Sequence, residues 1–119
     1  MARILLAEDD DNMRAFLARA LERAGHQVTA VGDGDAALAL AGAGEFDLLL
    51  ADVVMPGIDG IELARRVSTI LPELRIMFIT GFAAVALNQP GFAPRQPRVL
   101  AKPFHLRQLV DEIDKVLTA

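Results

Sequence analysis

Three runs of this chain, RILLA at 3–7, FDLLLADVV at 46–54 and RIMFIT at 75–80, are almost unbroken in apolar residues. A strand with one wet face alternates apolar and polar side chains, so runs like these must bury both faces. That demand leaves few architectures, chiefly a parallel sheet covered by helices on each side. The intervening segments supply such helices. Asp11 or Asn12 is expected to cap a helix in which Met13, Phe16, Leu17, Ala20, Leu21 and Ala24 share a face, and Gly25 stops it. DGDAALALAGAG at 33–44 predicts a second, shorter helix. A third carries Ile61, Ala64, Val67 and Leu71 and ends at Pro72. Leu106, Leu109, Val110, Ile113, Val116 and Leu117 mark a closing amphipathic helix. HQVTAV at 26–31 alternates and reads as a less buried edge strand, and RVLA at 98–101 supplies a fifth strand. Between 83 and 97 at most two helical turns fit, because Pro90, Pro94 and Pro97 break anything longer.

Five βα units of this kind predict an α/β fold: a doubly wound, five-stranded parallel sheet with helices on both faces. Right-handed crossovers, and the greater burial expected of strands 1, 3 and 4, favour the strand order 2-1-3-4-5. Residues 1–119 are expected to form one domain. In such sheets ligands bind beyond the carboxyl ends of the strands, where the winding reverses between strands 1 and 3. The net charge of -4, with Lys and Arg scattered singly, argues against nucleic acid, and the absence of Cys excludes disulfides and thiol chemistry. No apolar run is long enough to span a bilayer. A first strand starting at Ala2 or Arg3 leaves no room for a signal peptide, so a soluble cytoplasmic protein is expected.

The ends of the strands carry the chemistry. Strand 1 runs into Glu8, Asp9, Asp10 and Asp11; strand 3 ends in Asp52, strand 4 in Thr80 and strand 5 in Lys102. The acidic run read alone is a solvated turn with a helix cap. With Asp52 and Lys102 on the same rim a bound cation becomes the better reading, because close carboxylates repel by about 4 kcal/mol per pair at an effective dielectric near 20. An oxygen-only donor set without His or Cys suits a hard ion, and Mg²⁺ accepts a few carboxylates while keeping waters. Glu8 and Asp9 are then metal-facing, while Asp10 and Asp11 begin the first helix. Neither His26 nor His105 has a complementary neighbour in sequence, and both are expected to be solvated.

LLAEDD at 5–10, LLLADVVMPGIDGIEL at 48–63, FITG at 78–81 and AKPF at 101–104 together resemble the signature segments of the receiver domain of two-component response regulators. The resemblance covers essentially the whole chain and implies a flavodoxin-like sheet. It implies that Asp52 accepts a phosphoryl group and that Asp9, Glu8 through a water, Asp52 and the carbonyl of Val54 hold Mg²⁺. Thr80 would bond the phosphoryl group, Lys102 would pair with it, and the Lys102–Pro103 bond would be cis. The donor would be a histidine kinase or histidine phosphotransfer protein. MARILLAEDDDNMRAFLARAL and AGHQVTAVGDG further resemble the CpdR-type stand-alone receivers, which link phosphorylation to proteolysis by the ClpXP protease. A chain ending after its last helix would act by protein contact, with no output domain and no activity beyond its own phosphorylation and dephosphorylation.

The chain departs from that pattern in places. Val99 stands where many receivers keep a switching Tyr or Phe, so Thr80 and its loop, Phe82 or Phe92 are expected to carry the signal. Val54 and Phe82 are apolar where a water would attack the phosphoryl group, which implies a long-lived modification. Two other readings compete. An aspartyl-nucleophile phosphatase of the haloacid dehalogenase kind would want a second Asp where Val54 stands. A receiver that works without phosphorylation would have no need of Glu8, Asp9, Asp52, Thr80 and Lys102 together.

Overall fold

A computed structural model describes residues 1–81, 92 and 97–118. In chain order the elements are β1 (Arg3–Ala7), α1 (Asp11–Arg23), β2 (Gln27–Val31), α2 (Gly34–Ala43), β3 (Leu48–Asp52), α3 (Gly60–Ile70), β4 (Arg75–Thr80), β5 (Arg98–Ala101) and α4 (Leu106–Thr118). The strands are all parallel and lie in the order β2-β1-β3-β4-β5, as expected from the burial of their side chains.

Alternate residues of each central strand feed opposite cores. Leu5, Leu49, Ala51 and Phe78 meet Ala37 and Ala41 of α2 and Leu63, Ala64 and Val67 of α3 on one face. Ile4, Leu6, Leu48, Leu50, Met77 and Ile79 meet Leu17 and Leu21 of α1 and Leu109 and Ile113 of α4 on the other. All five residues of β3 are buried, whereas β2, at the edge, has no fully buried residue. Phe92 is also buried and meets Phe78 edge to face, with ring centroids 6.3 Å apart. The helical turns expected within 83–97 otherwise lie outside the described residues.

Three helices that follow strand ends begin with an aspartate cap. Asp10, Asp33 and Asp59 each accept a hydrogen bond from the amide three residues on, at 2.8, 2.7 and 2.8 Å. Such caps stabilise a helix by about 1 kcal/mol each. The α1 cap thus falls one residue before the expected Asp11 or Asn12. Asp10 is held extended by its own amide, which donates to Glu8 Oε2, so the next residue is already helical. At the other end of α1, Gly25 (φ 99°) closes the helix as expected, with His26 N–H bonded to the Leu21 carbonyl and Gly25 N–H to that of Glu22. Further expectations change. Phe16 is 55% exposed, because the buried face of α1 centres on Leu17 and Leu21, about 100° round the helix from it. His26 is half-buried and accepts the Ala2 amide on Nδ1 at 3.1 Å, a contact set by the pairing of Arg3 with Gln27. His105 is exposed, as expected.

Candidate functional site

Register lines up the rim. Ala7 pairs with Ala51, so Glu8, one residue further, lies beside Asp52; Thr80 pairs with Ala101, one residue before Lys102. The Lys102 amide donates to the Thr80 carbonyl at 2.8 Å, and the Glu8 amide to that of Val31 at 3.1 Å, extending both ladders past the last regular pairs. The Lys102–Pro103 bond is cis. Among the described residues, the polar or charged side chains that are buried are Glu8, Asp52 and Thr80, all at this rim. Burying ionisable groups is costly unless they are paired, so their concentration in one place marks a site rather than a core accident.

The pairing comes from Lys102. Its Nζ donates to Asp52 Oδ2 at 2.9 Å and to Glu8 Oε1 at 3.2 Å, spanning two carboxylates that would otherwise face each other. Glu8 Oε2 accepts the Asp10 amide at 3.1 Å and Asp52 Oδ1 that of Val54 at 3.2 Å, so each carboxylate has one oxygen on backbone and one on Lys102. One carboxylate oxygen each from Glu8, Asp9 and Asp52 lie within 4.8 Å of one another, with Asp9 exposed and the other two buried. Val54 is itself 55% exposed.

The electrostatics follow from this crowding. Burial pushes the Glu8 carboxyl above its ordinary range and the Asp52 charge adds to the rise; the Asp10 amide and Lys102 draw it back only in part. Burial would lower Lys102, but its hydrogen bond to Asp52 and the charges of Asp52 and Glu8 together outweigh that and hold the ammonium above its ordinary value. A carboxyl raised on folding contributes stability below its unfolded value and loses it as pH rises through the folded one. Glu8 therefore works against the fold wherever it is ionised, while Lys102 supports it until the solution is strongly alkaline.

Asp10, expected only to begin the first helix, also serves the site, its amide donating to Glu8. Two further residues of this arrangement were not singled out by sequence reading. Gly60, at the start of α3, passes so close to Asp52 that a Cβ there would lie 2.1 Å from the Asp52 carbonyl oxygen. Arg14 of α1 donates from Nη1 to the Glu8 carbonyl at 3.0 Å. Only Gly60 left a trace in the sequence, in the Asp-Gly pair opening α3, and that pair reads as an ordinary helix start. Phe82, expected beside Val54, lies outside the described residues. Val99 packs against the core shared by α2 and α3.

A family model for the response regulator receiver domain matches residues 4–114. The response regulator receiver protein CpdR of Brucella abortus (strain 2308) is 60% identical over 119 residues, spanning 100% of this chain and 99% of its own. The crystal structure of the receiver domain of hybrid histidine kinase CckA superposes with a TM-score of 0.83 at 34% identity, covering 97% of this chain and 98% of that one. Response regulator TrrA of Thermotoga maritima, solved in complex with Mg²⁺-BeF, gives 0.88 at 27% identity over 98% of this chain and 100% of its own. TrrA has also been solved in complex with histidine kinase ThkA; that structure gives 0.84 at 26% identity, over 98% of this chain and 99% of that one.

Proposed function

The chain belongs to the response regulator receiver family, and from that membership we propose that Asp52 accepts a phosphoryl group from a histidine kinase or phosphotransfer protein. The observation that carries this is the Lys102 ammonium bonded to both Asp52 and Glu8, with Asp9 beside them, at the strand ends. A carboxylate oxygen of Asp52 attacks the phosphorus of a donor phosphohistidine; the P–O bond forms, the P–N bond breaks, and the imidazole leaves with a proton from solvent. Lys102 follows the charge, turning its ammonium from the carboxylates to the phosphoryl oxygens. Thr80, buried at the end of β4, offers its hydroxyl to the same group. The product brings about one and a half to two negative charges to the rim, enough to re-aim Thr80 and Lys102 and the backbone they sit on.

Glu8, Asp9, Asp52 and the Val54 carbonyl would hold Mg²⁺, which when bound neutralises the phosphoryl oxygens during transfer. The donor set fits a hard ion, with one carboxylate oxygen each from Glu8, Asp9 and Asp52 within 4.8 Å of one another. By the likeness to receivers, Asp9 would bind the ion directly and Glu8 through a water. At a hundredfold excess over its dissociation constant Mg²⁺ is expected to stabilise the fold by about 2.7 kcal/mol, read as a rise in melting temperature. Asp9→Asn should abolish most of that rise while melting no lower than wild type without metal, since it also removes repulsion.

Output is by protein contact, with the ClpXP protease or its substrates as the partner expected from the likeness to CpdR. The deciding experiment is intact mass after incubation with acetyl phosphate and Mg²⁺. One added phosphoryl group, lost in Asp52→Asn, is the expected result. Release of many phosphates per chain would instead make the protein a phosphatase, and no addition to wild type would leave a receiver that works unmodified.

A further inference from the structure

Arg14 stands outside the cluster, on α1, yet its side chain returns to β1. Nη1 donates to the Glu8 carbonyl at 3.0 Å and Nη2 to Asp11 Oδ1 at 2.7 Å. We propose that Arg14 is a positioning residue for the acidic pair, fixing the Glu8–Asp9 peptide so that Asp9 presents its carboxylate to the cation site. The inference rests on the Mg²⁺ reading above and goes beyond it by assigning what holds Asp9 in place.

The argument is one of successive peptide planes. Each peptide unit is rigid, so a hydrogen bond to its carbonyl or amide fixes the whole plane. The plane entering Glu8 is held by its amide on the Val31 carbonyl at 3.1 Å. The plane leaving Asp9 is held by the Asp10 amide on Glu8 Oε2, at 3.1 Å. The plane between Glu8 and Asp9 is held by Arg14. Asp9 therefore sits between two anchored planes, which fix the direction of its Cα–Cβ bond and so the side from which its exposed carboxylate reaches Glu8 and Asp52. Without Arg14 the middle plane can turn, and Asp9 turns with it.

The surroundings fit this task better than that of a surface cation. The Arg14 side chain is 26% exposed, whereas its ion-pair partner Asp11 is 87% exposed. A pair as open as that contributes little on its own; here it aims the far nitrogen so that the near one meets the carbonyl. Gly32, just beyond β2, leaves the space the guanidinium occupies: a Cβ there would lie 3.1 Å from Arg14 Nη1.

Charge and position act in opposite directions, which makes the proposal testable by sign. A nearby guanidinium repels a divalent cation, so its removal on electrostatic grounds tightens Mg²⁺ binding. Loss of positioning weakens it, by about 10- to 100-fold where supporting groups of metal ligands have been removed. Mg²⁺ titration by calorimetry on the full chain, with metal-free melts alongside, is expected to show Arg14→Met at least about tenfold weaker than wild type. Gly32→Ala, which keeps the arginine and displaces only its tip, should weaken binding in the same direction. Wild-type binding with equal or tighter binding by a folded Arg14→Met overturns the inference and leaves the Mg²⁺ reading intact. Should Arg14→Met fail to fold, Gly32→Ala decides, and unchanged affinity there overturns the inference. No Mg²⁺ binding by wild type itself would overturn both.

Discussion

In Lys102→Met, phosphoryl incorporation from acetyl phosphate is expected to slow by about 10²- to 10³-fold, the usual cost of removing one preorganised donor from the charge that develops in transfer. The same substitution removes the ammonium that spans Asp52 and Glu8 at 2.9 and 3.2 Å. Glu8, already raised by burial and by Asp52, then loses one of the groups that drew it back. Its folded value moves further up, so the contribution of Glu8 to stability is greatest at acid pH and falls as pH climbs through and beyond the ordinary carboxylate range. Thermal melts across that range should fall more steeply with pH for the variant than for wild type, and Mg²⁺ should narrow the difference at neutral pH. Wild-type labelling kinetics in Lys102→Met would remove the lysine from the reaction and leave it a structural counter-ion only.

The two consequences share a cause that was legible in the primary structure only in part. Apolar runs located β1, β3 and β4, and the polar or charged residues closing them stood out because residues 4–7, 48–51 and 76–79 are wholly apolar. Glu8, Asp9, Asp52, Thr80 and Lys102 could therefore be placed on one rim before any coordinates. That Lys102 would bridge two carboxylates could not, since it depends on how far β5 reaches beyond β4. The α1 cap was misplaced by one residue because Asp10, Asp11 and Asn12 are all competent caps, and the choice is made by a side chain outside the helix, Glu8. His26 gave no sign of its bond to Ala2, which follows from the register of β1 on β2. Arg14 looked like any arginine on the polar side of a helix. Contacts between one element and the next leave no periodicity, whether near or distant in sequence, and these are what finish the site.

Gly60 is the sharpest case, and Gly60→Ala is expected to destabilise the protein by about 3 kcal/mol, at the upper end of ordinary overpacking. The added methyl would meet the Asp52 carbonyl oxygen at 2.1 Å, its carbon at 2.8 Å and Val53 Cα at 3.0 Å. All three are backbone atoms, so no side chain can rotate to make room. Nor can α3 slide away cheaply, because the Gly60 amide donates to the Val53 carbonyl at 2.9 Å and Ile61, Leu63, Ala64 and Val67 are buried behind it. Whatever yields is the end of β3, which carries Asp52 out of reach of Lys102 and Glu8. Phosphoryl incorporation should therefore drop even at temperatures where the variant is folded. Gly42 supplies the opposite result from the same substitution. It lies in the last turn of α2, is exposed, and a Cβ there meets nothing within 4 Å. Gly42→Ala is expected to stabilise by about 0.5 kcal/mol, the lower end of the helix-interior range, through helix propensity alone, with labelling unchanged. Chemical denaturation of the two variants beside wild type reads both signs at once, and a Gly60→Ala protein as stable as wild type would show that β3 and α3 are not held in the close approach on which the position of Asp52 depends.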